Sequence, residues 1–317
     1  MSHADSIPAL GTLAFGASWI GADPARRERD EDAVRAMLRS VDSFLDTSNN
    51  YAGGRSEAII GDVLATLSPT ERADAAARLI TKVDADPVTG VFDGDRVRRS
   101  VEESLTRLGI DRVPVLHLHD PYTITFAQAT AADGAVAALV ALRDEGVAGA
   151  IGIAAGPVPL VQAYVETGAF DAVLVHNRFT LVDDSAASLF AQARERGLRV
   201  FNAAVFGGGL LATGPTAGAS YQYRPADADL LAWTRDVQQL CATHGVPLAA
   251  IALQFSTRSP LVDHTVIGTT SAHRLAEVRE LAEVDIPAEL VAALASMGPA
   301  PTPVDDAAYR TGQSGAA

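Results

Sequence analysis

RLITKVDADPVTGVFDGDRVRRSVEESLTRLGIDRVPVLHLHD, residues 78–120, decides the fold. RLITKV (78–83) and VPVLHLHD (113–120) are short apolar runs, read as strands. Between them DGDRVRRSVEESLTRLG (93–109) has helical spacing and closes on a glycine placed as a helix C-cap. The strands are apolar on both faces rather than alternating. That is the mark of a parallel sheet covered on each side, and parallel strands need a helical crossover.

The alternation extends in both directions. GTLAFGAS (11–18) and FLDTS (44–48) precede as strands, with helices over 30–41 and 53–67. AIGIAA (150–155), AVLVHN (172–177), RVFNAAV (199–205) and HTVIGTT (264–270) follow, with helices over 134–146, 158–168, 185–197, 226–245, 247–257 and 271–284. Eight strand–helix units predict an α/β fold of the closed (β/α)8 TIM-barrel type rather than an open sheet. With no linker in the pattern, 1–317 reads as a single domain, its core over about 10–285 and an irregular tail over about 300–317. Two long connections, 120–134 after the fourth strand and 206–227 after the seventh, leave C-terminal strand ends, where barrel active sites are built.

Composition narrows the function. The chain is 48% apolar and 20% charged, which excludes disorder, and its single cysteine excludes an intrachain disulfide or a cysteine zinc site. A net charge of −14 argues against nucleic-acid and anionic-membrane partners. No apolar run approaches a membrane span and no secretory signal is visible, so a cytoplasmic, reducing compartment is expected.

Of the 25 basic residues, 24 are arginine; the one lysine, Lys82, falls at the end of the third strand. Asp46 ends the second strand, with Tyr51 five residues later, and His117 and His119 close the fourth. The barrel directs such strand ends into one pocket. There a neighbouring ammonium is expected to lower the phenol's pKa, and a carboxylate to hold the ammonium. Such a tyrosine trades a proton with an alkoxide while an imidazole orients the carbonyl oxygen.

FLDTSNNYAGGRSEAIIGDVL (44–64), LITKVD (79–84), LTRLGIDRVPVLHLHDP (105–121), AIGI (150–153) and VIGTTSAHRLAEV (266–278) together resemble the aldo-keto reductase superfamily over nearly the whole chain. The resemblance implies an NAD(P)-dependent oxidoreductase moving a hydride between nicotinamide and a carbonyl, alcohol or sugar lactol carbon. Asp46, Tyr51, Lys82 and His119 take the catalytic tetrad's places. His119 stands two residues before a proline, as the family histidine does, which leaves His117 to the core.

The resemblance also implies a cofactor, NADP or NAD, lying across the barrel mouth. Its phosphates meet Gly268, Thr269, Thr270 and Arg274, and Glu277 lies near the ribose. His176 stands where the family has a glutamine, and Phe206, with Gly207 and Gly209, is the candidate stand-in for the aromatic that stacks on the nicotinamide. Three departures are visible: Ala154 and Ala155 replace a Ser-Asn pair, Gly268 replaces a lysine common in NADP-preferring members, and Ala203 replaces the aromatic. Trp19 and Phe126 are the candidate substrate-wall residues. HNRFTLVDD (176–184) and FNAAVFGGGLLATGP (201–215) look like the branch holding aldose 1-dehydrogenases and pyridoxal dehydrogenases.

Two other classes fit less well. A metal-dependent barrel hydrolase would use His117 and His119 as ligands, but there the H-x-H ends the first strand and the lysine follows; here Lys82 precedes. A non-catalytic cofactor-sensing subunit would not need a complete tetrad. The expected partner is a small carbonyl or sugar substrate, with no metal; oligomeric state leaves no mark in the sequence.

Overall fold

The computed structural model describes residues 12–222, 224–301 and 304–309. Its eight long strands are β1 (Thr12–Gly16), β2 (Phe44–Asp46), β3 (Leu79–Val83), β4 (Val113–His119), β5 (Ala148–Ala155), β6 (Ala172–His176), β7 (Arg199–Ala203) and, after a small hairpin of β8 (Ser220–Tyr221) and β9 (Arg224–Pro225), β10 (His264–Gly268). They close a parallel barrel in the order β1-β10-β7-β6-β5-β4-β3-β2. Each strand read from the sequence is present, most trimmed by a residue or two where the chain turns into a loop and β5 begun two residues earlier; residue 11 and much of the tail lie outside the described residues.

The helix between β3 and β4 spans Gly94–Leu108. It starts on the Asp93 carboxylate, which accepts from Arg96 N at 2.8 Å, and stops at Gly109 in the left-handed conformation. Its apolar face joins β4 and β5 in a core layer containing Val97, Val101, Leu116, Ile151 and Leu139. A second layer, with Phe15, Val34, Ile60 and Leu79, fills the opposite side. Inside the barrel a smaller cluster of Ala14, Ile80, Val115, Leu174, Phe201 and Val266 plugs the interior, so the barrel is a packed core and not a pore.

Several elements were not read from the sequence. Helix Pro69–Ala76 follows a Ser68–Glu71 capping box, and Ala288–Ser296 packs beyond the last barrel helix. The 120–134 connection holds a short helix, Phe126–Ala129. The tail is not wholly irregular: Ala307–Tyr309 forms a 3-10 turn, and Asp306 before it is buried against Arg178.

Candidate active site

The end of β2 runs into a loop whose backbone is held on all sides. Thr47 N and Asn49 N extend the ladder to Ile80 O and Lys82 O. Buried Asn49 donates to Ser100 O at 2.9 Å, accepts from Arg96 Nη2 at 3.0 Å, and its carbonyl accepts from Arg107 Nη2 at 3.2 Å. Arg107 is itself fixed on Glu57, a fully buried carboxylate. A left-handed run follows Tyr51: Ala52 at φ 53°, then Gly53 and Gly54. The result is a rigid turn that presents the phenol at the barrel mouth.

Lys82 is 1% exposed. Its ammonium has three hydrogens to donate, and three acceptors surround it: Asp46 Oδ2 at 2.6 Å, Thr47 O at 2.7 Å and the Tyr51 hydroxyl at 3.1 Å. Burial disfavours the charge, but Asp46 and Tyr51 outweigh it and hold the ammonium's pKa above its ordinary value. Because the Tyr51 oxygen accepts from Lys82, its own hydrogen is free to point elsewhere.

The expected lowering of the phenol's pKa does not appear. Burial pushes Tyr51 well above the ordinary value, Lys82 pulls it back only in part, and Asp46 pushes it up again. The cation is neutralised by the carboxylate at 2.6 Å, so the phenol sees an ion pair rather than a bare charge. Tyr51 is a protonated donor whose anion would be met by an N–H already in place.

His119 stands edge-on to Tyr51, ring centroids 5.7 Å apart. Its Nδ1 is 2.7 Å from Asp84 Oδ1. Asp84 also accepts from the Ser48 hydroxyl and from Asn50 N at 3.1 Å. Burial raises the Asp84 carboxyl, but His119, Ser48 and Asn50 overcome it and leave its pKa below the usual value. An ionised carboxylate can only accept, so Nδ1 carries hydrogen and Nε2 is the atom left for the mouth. Burial likewise opposes charge on His119, yet Asp84 and Asp120 hold its pKa above the ordinary value.

The other strand ends complete the rim. Asp120 leaves β4 at φ 41°, and its carboxylate lies between His119 Nε2 at 3.7 Å and His176 Nε2 at 3.6 Å. Of the five non-glycine residues with positive φ among those described, Ala52, Asp120, Asn177 and Ala204 sit in loops after β2, β4, β6 and β7, and Gln222 in the β8–β9 turn, donating to Asn177 O at 3.1 Å. Backbone strain is thus concentrated at one end of the barrel, as at functional sites generally. Tyr122 and Tyr309 pack together at 6.0 Å beside it. The Arg178–Asp306 pair, at 2.7 Å, holds the tail there, and Asp306 also accepts from Val158 N.

The structure therefore brings together Asp46, Tyr51, Lys82 and His119 from three adjacent strands. It keeps His117 apart, fully buried, edge-on to Phe201 and with neither ring nitrogen hydrogen-bonded. Phe126 is half-buried and packs edge-on against Tyr164, ring centroids 5.1 Å apart. Trp19 is exposed in the loop after β1. Phe206 is half-buried between two core layers, and Gly207 lies where a Cβ would strike the Tyr221 ring at 2.4 Å, a packing reason for glycine that the sequence did not disclose.

After β10 the chain suits a dinucleotide phosphate. At Gly268 a Cβ would meet only Ser18 Oγ, at 3.7 Å, so the backbone there is open to close approach. The first N–H groups of helix Ala272–Glu283 receive no side-chain cap from Ser271. Arg274 is exposed with Glu277 at 3.6 Å, buried Thr269 and half-buried Thr270 line the turn, and Arg29, unforeseen from sequence, donates to Thr270 O at 3.2 Å.

A model of the aldo/keto reductase family matches residues 9–298. The chain is 33% identical to a D-threo-aldose 1-dehydrogenase of a Pseudomonas species, covering 94% of this chain and 96% of the relative. It is 28% identical to a pyridoxal 4-dehydrogenase of Microbacterium luteolum, covering 91% and 93%. Among solved structures, an aldo-keto reductase from Bacillus halodurans in its holo form aligns with a TM-score of 0.71 at 21% identity, covering 91% and 92%. One from Klebsiella pneumoniae in complex with NADPH aligns at 0.68 and 19%, covering 92% and 93%. Both likenesses carry the barrel fold.

Proposed function

Because this chain belongs to the aldo/keto reductase family and is an NAD(P)-dependent oxidoreductase, we propose that Tyr51 is its proton donor and acceptor, served by Lys82, Asp46 and His119. The observation that carries this reading is the full use of the Lys82 ammonium on Asp46, Thr47 and Tyr51. A bound nicotinamide would supply or take the hydride. In the reductive direction the carbonyl oxygen gains charge, and Tyr51 gives it a proton. The Lys82 N–H stabilises the phenolate left behind, and Asp46 keeps Lys82 aimed. His119, fixed through Nδ1 on Asp84, offers Nε2–H as a second donor to the same oxygen. In oxidation the same groups run backward.

For the cofactor, Gly268, Thr269, Thr270 and Arg274 are the proposed phosphate ligands and Glu277 the ribose-side acid. His176, Phe206, Gly207 and Gly209 are proposed for the nicotinamide end. The aldose and pyridoxal dehydrogenases among the relatives support a sugar lactol or related carbonyl-bearing substrate. No single helix among the described residues is long and apolar enough to cross a membrane. The free, buried thiol of Cys241 fits the proposed cytoplasmic setting, and the docking of Asp306 on Arg178 supports reading the chain as one domain.

Tyr51→Phe tests the assignment. Turnover should fall by about 10²- to 10⁴-fold, the range for a lost general acid, while NADPH binding, followed by nucleotide fluorescence, stays within about threefold of wild type because the phenol's role is in the chemical step. Retained turnover would remove Tyr51 from the mechanism.

A further inference from the structure

We propose that Asp120 selects substrates with a hydroxyl on the carbon next to the reacting one, its outer carboxylate oxygen accepting that hydroxyl's hydrogen bond. The inference rests on the oxidoreductase reading above and names the substrate class it handles: 2-hydroxyaldehydes and the lactol forms of aldoses.

Position comes first. The reacting oxygen must lie within hydrogen-bond reach of both Tyr51 and His119 Nε2. Asp120 Oδ2 is 3.7 Å from that same Nε2. A second oxygen, one carbon further along the substrate, comes within reach of Oδ2 while the first keeps its place.

The carboxylate is also held ready. Its backbone N donates to Ala154 O at 2.9 Å, and its carbonyl accepts from Tyr122 N at 2.6 Å, which fixes the φ of 41° that turns the residue off the strand. Oδ1 is buried and has no hydrogen-bond partner, while the side chain as a whole is 34% exposed; the exposed part is therefore the remainder, which includes Oδ2. The separations from His119 and His176, 3.7 and 3.6 Å, are too long for hydrogen bonds. Burial alone would raise this carboxyl, but His119, His176 and the Tyr122 side chain pull its pKa down to about 2, so it remains an acceptor at any working pH.

The complement of a fixed anionic acceptor is a donor, either hydroxyl or ammonium. The surroundings favour the neutral one. An ammonium here would sit beside His119, whose charged form Asp84 and Asp120 favour, whereas a hydroxyl meets no such repulsion.

The test compares D-glyceraldehyde with propanal in NADPH-dependent reduction by wild type, Asp120→Gly and Asp120→Asn. Glycine accepts the positive φ without strain and asparagine tolerates it, so both variants should fold. Wild type should prefer glyceraldehyde, and Asp120→Gly should lose about 10- to 100-fold more kcat/KM on glyceraldehyde than on propanal, the range for a hydrogen bond to a charged acceptor. Asparagine, still an acceptor but uncharged, should fall between. A preference that survives in Asp120→Gly, or an equal loss on both aldehydes, would overturn the inference alone, the latter assigning Asp120 to the control of His119. A folded wild type that reduces neither aldehyde and oxidises no aldose would overturn the oxidoreductase reading and this inference with it.

Discussion

His117 and His119 stand two residues apart on β4, yet they have opposite fates. His119, in the mouth layer, is held by Asp84 and faces Asp120. His117, one layer deeper, meets Phe201 and no hydrogen-bond partner; burial, with Lys82 and His119 nearby, drives its pKa well below the ordinary value and keeps it neutral. Residue type and strand face are the same for both. What differs is the layer: at the mouth the loops bring carboxylates to the strand end, and below it only side chains of the interior are within reach. The barrel thus separates a charged working layer from an apolar supporting one within a single strand.

The most severe way to break that separation is Lys82→Met. It removes the cation on which Asp46 and Tyr51 depend and leaves a buried carboxylate without its partner; Asp46 Oδ1 already has none. Loss of one member of a buried pair costs about 3–5 kcal/mol. We expect a large drop in melting temperature together with at least about 10³-fold loss of kcat. Wild-type stability would mean the Lys82–Asp46 pair contributes little net energy.

Next is Asp84→Asn, which makes the mouth histidine resemble the deeper one. Without the anion the His119 pKa should fall toward its ordinary value, and the alkaline limb of the pH–rate profile should move to lower pH, with at least about tenfold less activity above neutrality from loss of the aimed imidazolium. The Asp84–His119 attraction stabilises the fold between the lowered pKa of Asp84 and the raised pKa of His119. It is withdrawn as pH falls through the first or rises through the second. An unmoved alkaline limb would separate His119 ionisation from the rate.

The supporting layer can be tested through Gly152, where a Cβ would lie 2.3 Å from His117 Nδ1 and 3.0 Å from Ala172 O. Gly152→Ala should cost about 1–3 kcal/mol by overpacking. His117→Ala in the same chain should recover part of that loss, seen as coupling in a double-mutant cycle by urea unfolding. Strict additivity would mean the two do not share space.

These features differ in how far the sequence discloses them. All eight barrel strands are legible because both faces are buried and the apolar runs are unbroken. Helix Pro69–Ala76 is not, because half of its residues are polar, three of the rest are alanine, and only Ala75 is buried. Asp46, Tyr51 and Lys82 are legible through the lone lysine and the strand ends, while the choice of His119 over His117 rests on the aldo-keto reductase resemblance. Asp84 is not, since an acid just past a strand end looks like any turn carboxylate until Ser48 and His119 are seen to converge on it. The packing of Phe126 on Tyr164 is not legible either, because a loop aromatic carries no sign of which side it packs on. Spacing also identified Tyr51's neighbours but not their balance. Burial keeps the proton on the phenol, and Asp46 offsets part of the pull of Lys82 through a 2.6 Å contact no periodicity encodes.

The exposed rim should show the smallest effect. Arg274 is 62% exposed, and its carboxylate neighbour Glu277 is 3.6 Å away. In solvent such a charge contributes about 1 kcal/mol at most, or roughly fivefold in binding. Arg274→Ala should therefore raise the KM for NADP by about that factor at low salt and leave the KM for NAD nearly unchanged, because only NADP carries the additional phosphate; added salt should shrink the difference. Gly268, where a lysine would have added a second cation, keeps the expected discrimination modest, and Arg29 beside Thr270 limits what one substitution can remove. A change shared equally by the two nucleotides would place Arg274 away from the 2′-phosphate. A change far above tenfold would mean that the rim, like the mouth, works with charge shielded from water.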